Sequence, residues 1–163
     1  VKKFVVLSDT HIPKRAKELP VEVLKEIEKA DGIIHAGDFV SEDFYRFLEK
    51  NFKVYAVHGN MDEASLFDIL PEKRIFEIEK IKIGLYHGTG APFGIEKRVL
   101  KKFENEEVNL IIFGHSHRTF NKKIKDIHLF NPGSVSDKIF SFTNTFGVLE
   151  VNNEEFDIKI VKI

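Results

Sequence analysis

Five short apolar runs constrain this chain more than anything else in it: Lys3 to Ser8, Gly32 to Ala36, Lys53 to Val57, Ile81 to Tyr86 and Asn109 to Phe113. Most are too continuous in Val, Ile, Leu and Phe for strands with one wet face, so they read as central strands covered on both sides. Helical patterns lie between them. Pro20 suits the first turn of a helix reaching about Lys29, with Val21, Leu24 and Ile27 on one face. Ser41 suits an N-cap, with Glu42 and Asp43 at the positive end of a helix through about Lys50. A third helix is expected from about Gly94 to Glu104. From Arg74 the pattern changes. Arg74 to Glu79 alternates apolar and charged residues and is expected to pair with Lys82 to Tyr86. Phe120 to Ile124, Ile127 to Phe130, Phe146 to Val151 and Phe156 to Ile163 are short and of period two. A β-α-β first half and a strand-rich second half predict an α/β chain of two sheets packed face to face, with helices outside. With no internal repeat or linker, residues 1–163 read as one domain.

Charge and composition remove several function classes. A formal net charge of −1 offers no basic face for duplex nucleic acid. The absence of cysteine excludes disulfides and thiolate metal sites. No apolar stretch approaches the roughly 20 residues of a membrane helix. The apolar run at Val1 to Leu7 is too short for a signal peptide and meets a charged segment instead of a cleavage site. A soluble, cytoplasmic protein is expected, monomeric or homodimeric, with no membrane partner.

Chemistry-bearing residues follow the apolar runs. Asp9-Thr10-His11 follows the first and Gly37-Asp38 the second. His58-Gly59-Asn60 follows the third, His87-Gly88 the fourth and Gly114-His115-Ser116-His117 the fifth. In parallel sheets the C-terminal strand ends share one edge, where ligands bind. Asp and His together suit Mn, Fe, Ni, Co or Zn. In Asp9/His11 and His115/His117 the spacing would send both side chains to one side of an extended segment, and the neighbouring glycines allow sharp turns and close approach. Two carboxylates, four imidazoles and one carboxamide exceed what one ion needs and suit two ions about 3.5–4 Å apart with one carboxylate bridging. Two dications less Asp9, Asp38 and a hydroxide leave a positive formal charge, which favours a phosphate. His35 reads as a core or supporting residue, His58 as a supporting one and His128 as structural. Phe39 and Phe93 fall in loops near the expected site.

With these residues assembled, the chain resembles the calcineurin-like metallophosphoesterase superfamily, in particular its short prokaryotic phosphodiesterase branch. The resemblance runs from Asp9 to the Asn131-Pro132-Gly133-Ser134 turn that often closes such sites. It implies the four-layer α-β-β-α metallophosphoesterase fold. It also implies that Asp9, His11, Asp38 and His117 hold one ion and that Asp38 bridges to a second, completed by Asn60, His87 and His115. Asp38, Asn60 and His87 would be the catalytic members. The implied reaction is hydrolysis of a small organic or nucleotide phosphodiester by a metal-bridging hydroxide, with manganese the first expected metal. A phosphomonoesterase or nuclease would use the same site. Some relatives, including a subunit of the retromer coat, act as protein scaffolds. One departure bears on mechanism: where many members continue Gly-Asn with a proton-donating His, this chain has Met61, followed by Asp62 as a stand-in acid.

Overall fold

A computed structural model describes residues 1–13, 18–137 and 143–163. The first sheet runs in the order β10-β9-β1-β2-β3. Its parallel strands are β1 (Lys2–Leu7), β2 (Gly32–His35) and β3 (Val54–Ala56). The antiparallel β9 (Thr145–Asn152) and β10 (Glu155–Lys162) complete it. The second sheet runs β4-β5-β6-β8-β7. In it β5 (Ile81–Tyr86), β6 (Leu110–Ile112) and β8 (Ile127–Asn131) are parallel. The antiparallel edge strands are β4 (Lys73–Ile78) and β7 (Phe120–Ile124).

Strand alternation separates three apolar layers. Phe4, Val6 and Ile34 meet Ile83, Leu110, Ile112 and Phe130 between the sheets. The intervening Val5, Leu7 and Ile33 face α1 (Val21–Glu28) and α2 (Glu42–Asn51), represented by Val23, Ile27 and Leu48. On the far side Ile111 and Leu129 pack with Val99 and Phe103, from α4 (Ile95–Lys102) and its C-terminal end. The order is therefore helix, sheet, sheet, helix, as the strand pattern implied.

Several local expectations hold. Ser41 caps α2, its Oγ accepting from Phe44 N–H at 3.3 Å. Others need correction. Val21 is 61% exposed, because it lies about 200° around the helix from Val23, which with Ile27 forms the buried stripe. The third apolar run is not central: β3 is an edge strand, covered on both faces, with Tyr55 stacked on Phe76 at 4.1 Å. A short helix, α3 (Ala64–Ile69), has no counterpart in the periodicity. Its N-cap, Glu63, makes no side-chain capping bond, and burial of Leu66 anchors it instead. Among the described residues no helix is long and apolar enough to cross a membrane.

Candidate metal centre

Each parallel strand delivers its C-terminal end to one edge. The five strand ends come from two sheets, three from the first and two from the second. The loops beyond the strands stay paired: Asp9 N–H donates to Gly37 O, His11 N–H to Asp38 O and Gly114 N–H to His87 O, all at 3.0–3.1 Å. The Asp9/His11 and His115/His117 pairs do not lie on extended backbone. All four, and Asp38, have φ between 48° and 70°. Left-handed backbone outside glycine is uncommon, and its concentration here is strain of the kind that functional sites carry.

The seven side chains singled out by the sequence converge. Asp9 Oδ1 is 3.3 Å from His117 Nε2 and 3.8 Å from both His11 Nε2 and His87 Nε2. Asp38 Oδ2 is 3.2 Å from His87 Nε2 and 3.9 Å from His11 Nε2. Asn60 Oδ1 is 3.1 Å from His87 Nε2 and 3.2 Å from His115 Nδ1. The donor atoms form two overlapping clusters, Asp9/His11/His117 and Asp9/Asp38/His87.

The surroundings aim one atom of nearly every group inward. Asp9 Oδ2 accepts from Ser8 Oγ–H and His115 N–H, which leaves Oδ1 facing the centre. Asp38 Oδ1 accepts from Met61 N–H at 2.8 Å, which leaves Oδ2. His87 Nδ1–H donates to Ala36 O, His115 Nε2–H to Gly90 O and His117 Nδ1–H to Asp137 Oδ2, at 2.7–2.9 Å. These outer bonds select the tautomer whose inner nitrogen carries the lone pair. Asp9 Oδ1 and both nitrogens of His11 are buried with no hydrogen-bond partner among the described residues. Buried polar atoms are rarely left this way, and a divalent cation fits this donor set.

Two glycines permit the close approach. A Cβ on Gly59 would collide with Asp38 Oδ1, and one on Gly114 would collide with Ser8 Oγ and lie 2.8 Å from Asp9 Oδ2. Electrostatically the centre attracts cations. Burial alone would raise the Asp9 carboxyl, but the surrounding His87, His11 and His117 outweigh it and hold it well below the usual range. Burial likewise opposes a proton on His87, yet Asp9 and Asp38 lift that imidazole to about 9.

Some contributors escaped the sequence. Asp62, expected as a stand-in acid, has a further part that the sequence did not show: its carboxylate accepts from the backbone N–H groups of Asp38, Val40 and Gly59, tying two loops together. Asp137, buried against His117, follows the Ser134 turn beyond β8, a sixth strand end at the same edge. Ser134 Oγ accepts from Asp137 N–H and donates to Asp9 O, joining that turn to the first loop. Neither His58, packed on Phe67, nor His128, beside Phe156 and Asn121, joins the centre.

His35 is a core residue, as expected. It stacks on Phe39 at 3.6 Å, accepts from Gly37 N–H at Nδ1 and faces Thr10 Oγ1 at Nε2. Burial pulls its imidazole from 6.5 to about 3. Between those pH values the unfolded chain binds more protons than the folded one. The contribution to stability is therefore fully present above about pH 6.5 and is lost as pH falls toward 3, by about 1.4 kcal/mol per pH unit at most. His35→Asn keeps an acceptor for Gly37 N–H but cannot titrate. Urea melts from pH 6 to 4 should show the stability advantage of wild type shrinking by about 1 kcal/mol per pH unit. Parallel curves would contradict the assignment.

Comparison with known proteins gives a consistent picture. Residues 3–154 match the family model of the calcineurin-like phosphoesterase superfamily domain. A probable metallophosphoesterase of Methanothermobacter thermautotrophicus is 35% identical over 157 residues, spanning 96% of this chain and 90% of that protein. Vps29 of Entamoeba histolytica, solved in complex with zinc, superposes with a TM-score of 0.79 at 23% identity, covering 99% of this chain and 98% of that one. A structure described as a novel archaeal phosphodiesterase superposes with a TM-score of 0.73 at 24% identity, covering 98% and 99%. The last two likenesses show the shared fold.

Proposed function

This chain belongs to the calcineurin-like phosphoesterase superfamily, and on that premise we propose that it is a phosphodiesterase working with two divalent ions. Membership implies a phosphoester hydrolase. The observation that carries the finer reading is the aim of the donor atoms: outer bonds fix Asp9, Asp38, His87, His115 and His117, and the inward Asp9 Oδ1 and His11 nitrogens have no hydrogen-bond partner among the described residues. In the proposed assignment Asp9, His11, Asp38 and His117 would hold one ion, and Asp38 would also serve a second, completed by Asn60, His87 and His115. Bound ions would lower the pKa of a water and neutralise charge on the phosphate.

The chain's own groups define the rest. Ala36 O, Gly90 O and Asp137 keep the imidazoles oriented, and Asn60 holds a carboxamide oxygen against both His87 and His115. A cleft of about 190 Å³ opens above them, with Met61 and Pro92 among its walls. Arg118 is its one cationic side chain besides histidine among the described residues. A singly charged diester needs less compensation than a doubly charged monoester, which favours the diester. Met61 offers no proton, so the leaving oxygen takes its proton from water, and esters with good leaving groups should react best.

The test strips the protein with chelator and follows bis-(p-nitrophenyl) phosphate as Mn, Ni, Co, Zn, Fe and Mg are restored singly. The expected outcome is an inactive stripped protein and at least about a hundredfold recovery with one or more ions, Mn first among them. Two bound ions per chain without turnover would favour the second reading, a protein-binding scaffold, which Met61 motivates. Neither binding nor turnover would overturn the metal reading altogether.

A further inference from the structure

Between β5 and α4, the loop from Gly88 to Gly94 contributes Pro92 to the wall of the cleft and does not behave as an ordinary surface turn. Arg98, on α4, gathers it: Nε–H donates to Thr89 O at 2.9 Å, and the terminal nitrogens donate to Ala91 O and Phe93 O. Gly90 curls over the guanidinium with φ 79°, where a Cβ would lie 3.2 Å from Arg98 Cζ. The same Gly90 carbonyl holds His115 Nε2. The loop is thus fixed to α4 on one side and to the metal centre on the other.

At the end of this braced segment stands Phe93, 92% exposed, the most exposed of the large apolar side chains described. Pro92, one residue or about 3.8 Å back along the chain, lines the cleft beside Met61. The fold gains no burial from Phe93, and an exposed apolar residue alone needs no explanation. Here, however, it directly follows Pro92, a wall residue of a phosphate-sized cleft, and its backbone is already ordered by the Arg98 bond to Phe93 O. An ordered aromatic loses little entropy when a flat partner covers it.

We infer that Phe93 is a stacking platform for an aromatic group esterified to the phosphate in the cleft, a nucleobase by class, so that the substrate is a nucleotide phosphodiester. This rests on the proposed metal centre, which would hold the phosphate itself. Base stacking on an aromatic side chain tolerates any base, so the platform selects nucleotides over aliphatic diesters without selecting among bases. Arg98 acts as a positioning residue, setting where the platform stands.

Calorimetric titration of the Mn-loaded protein with AMP, ribose 5-phosphate and inorganic phosphate tests this directly, since the first two differ by the base. AMP should bind about tenfold more tightly than ribose 5-phosphate. Phe93→Ala should bring the two within about twofold while inorganic phosphate binds as before, and Phe93→Trp should retain the preference. Equal affinities in wild type, or a preference that survives in Phe93→Ala, would overturn the platform and leave the metal centre standing. If none of the three ligands binds although Mn is loaded, the phosphate site assigned to the cleft falls and the platform with it.

Discussion

Asp38→Asn is expected to lower kcat for bis-(p-nitrophenyl) phosphate by about 10³-fold and to reduce bound metal below two ions per chain. The reason is geometric as well as electrostatic. Asp38 Oδ1 already accepts from Met61 N–H, and Oδ2 reaches 3.2 Å from His87 Nε2 and 3.9 Å from His11 Nε2, where the two donor sets meet. An asparagine must choose. With its oxygen on Met61 N–H, its amino group points at the place proposed for a cation. Turned the other way, the amino group faces Met61 N–H, donor against donor. Either arrangement removes an anion, and neither changes the volume of the side chain. Metal analysis, kcat and a thermal melt on the same preparation separate the effects. A variant that keeps two ions and loses less than about tenfold in kcat would remove Asp38 from the bridging role.

The second large effect is a gain. Met61→His should raise turnover of diesters with alkyl leaving groups by about 10²-fold while changing aryl esters little, because general-acid help matters when the departing oxygen is basic. The position is favourable, since the backbone N–H of residue 61 is fastened to Asp38 Oδ1 whatever the side chain. The side chain itself is 43% exposed and lines the cleft. Nor does a neighbour already supply the proton: Asp62 spends both oxygens on three backbone N–H groups. Paired assays on p-nitrophenyl and alkyl diesters give the answer. Equal rates for variant and wild type on the alkyl ester would mean that protonation of the leaving group does not limit this enzyme.

What could be read without coordinates was short-range. A run such as Val5-Val6-Leu7 excludes water on both faces, which marks a strand covered on both sides, here β1 with 0% exposure at each residue. The abrupt change to Asp9, Asp38, Asn60, His87 and His115 after such runs marked the edge where ligands gather, since strand direction puts these ends together. The capping Ser41 and the β4–β5 hairpin were legible for the same local reason.

Tertiary structure decided everything that depends on which ends become neighbours. That β3 lies at an edge follows from pairing order, which its composition does not encode. The left-handed φ at Asp9 and His11 is held by bonds to Gly37 O and Asp38 O respectively, far along the chain. Asp62 and Asp137 carry no motif; they matter because folding brings one under three N–H groups and the other 2.9 Å from His117. Arg98 is an ordinary helical arginine until the loop before it closes around its guanidinium. Residue type and local hydrophobicity specify which groups can do chemistry. Which oxygen or nitrogen of each faces inward is set by hydrogen bonds between segments distant in sequence, and these exist only after the two sheets have met.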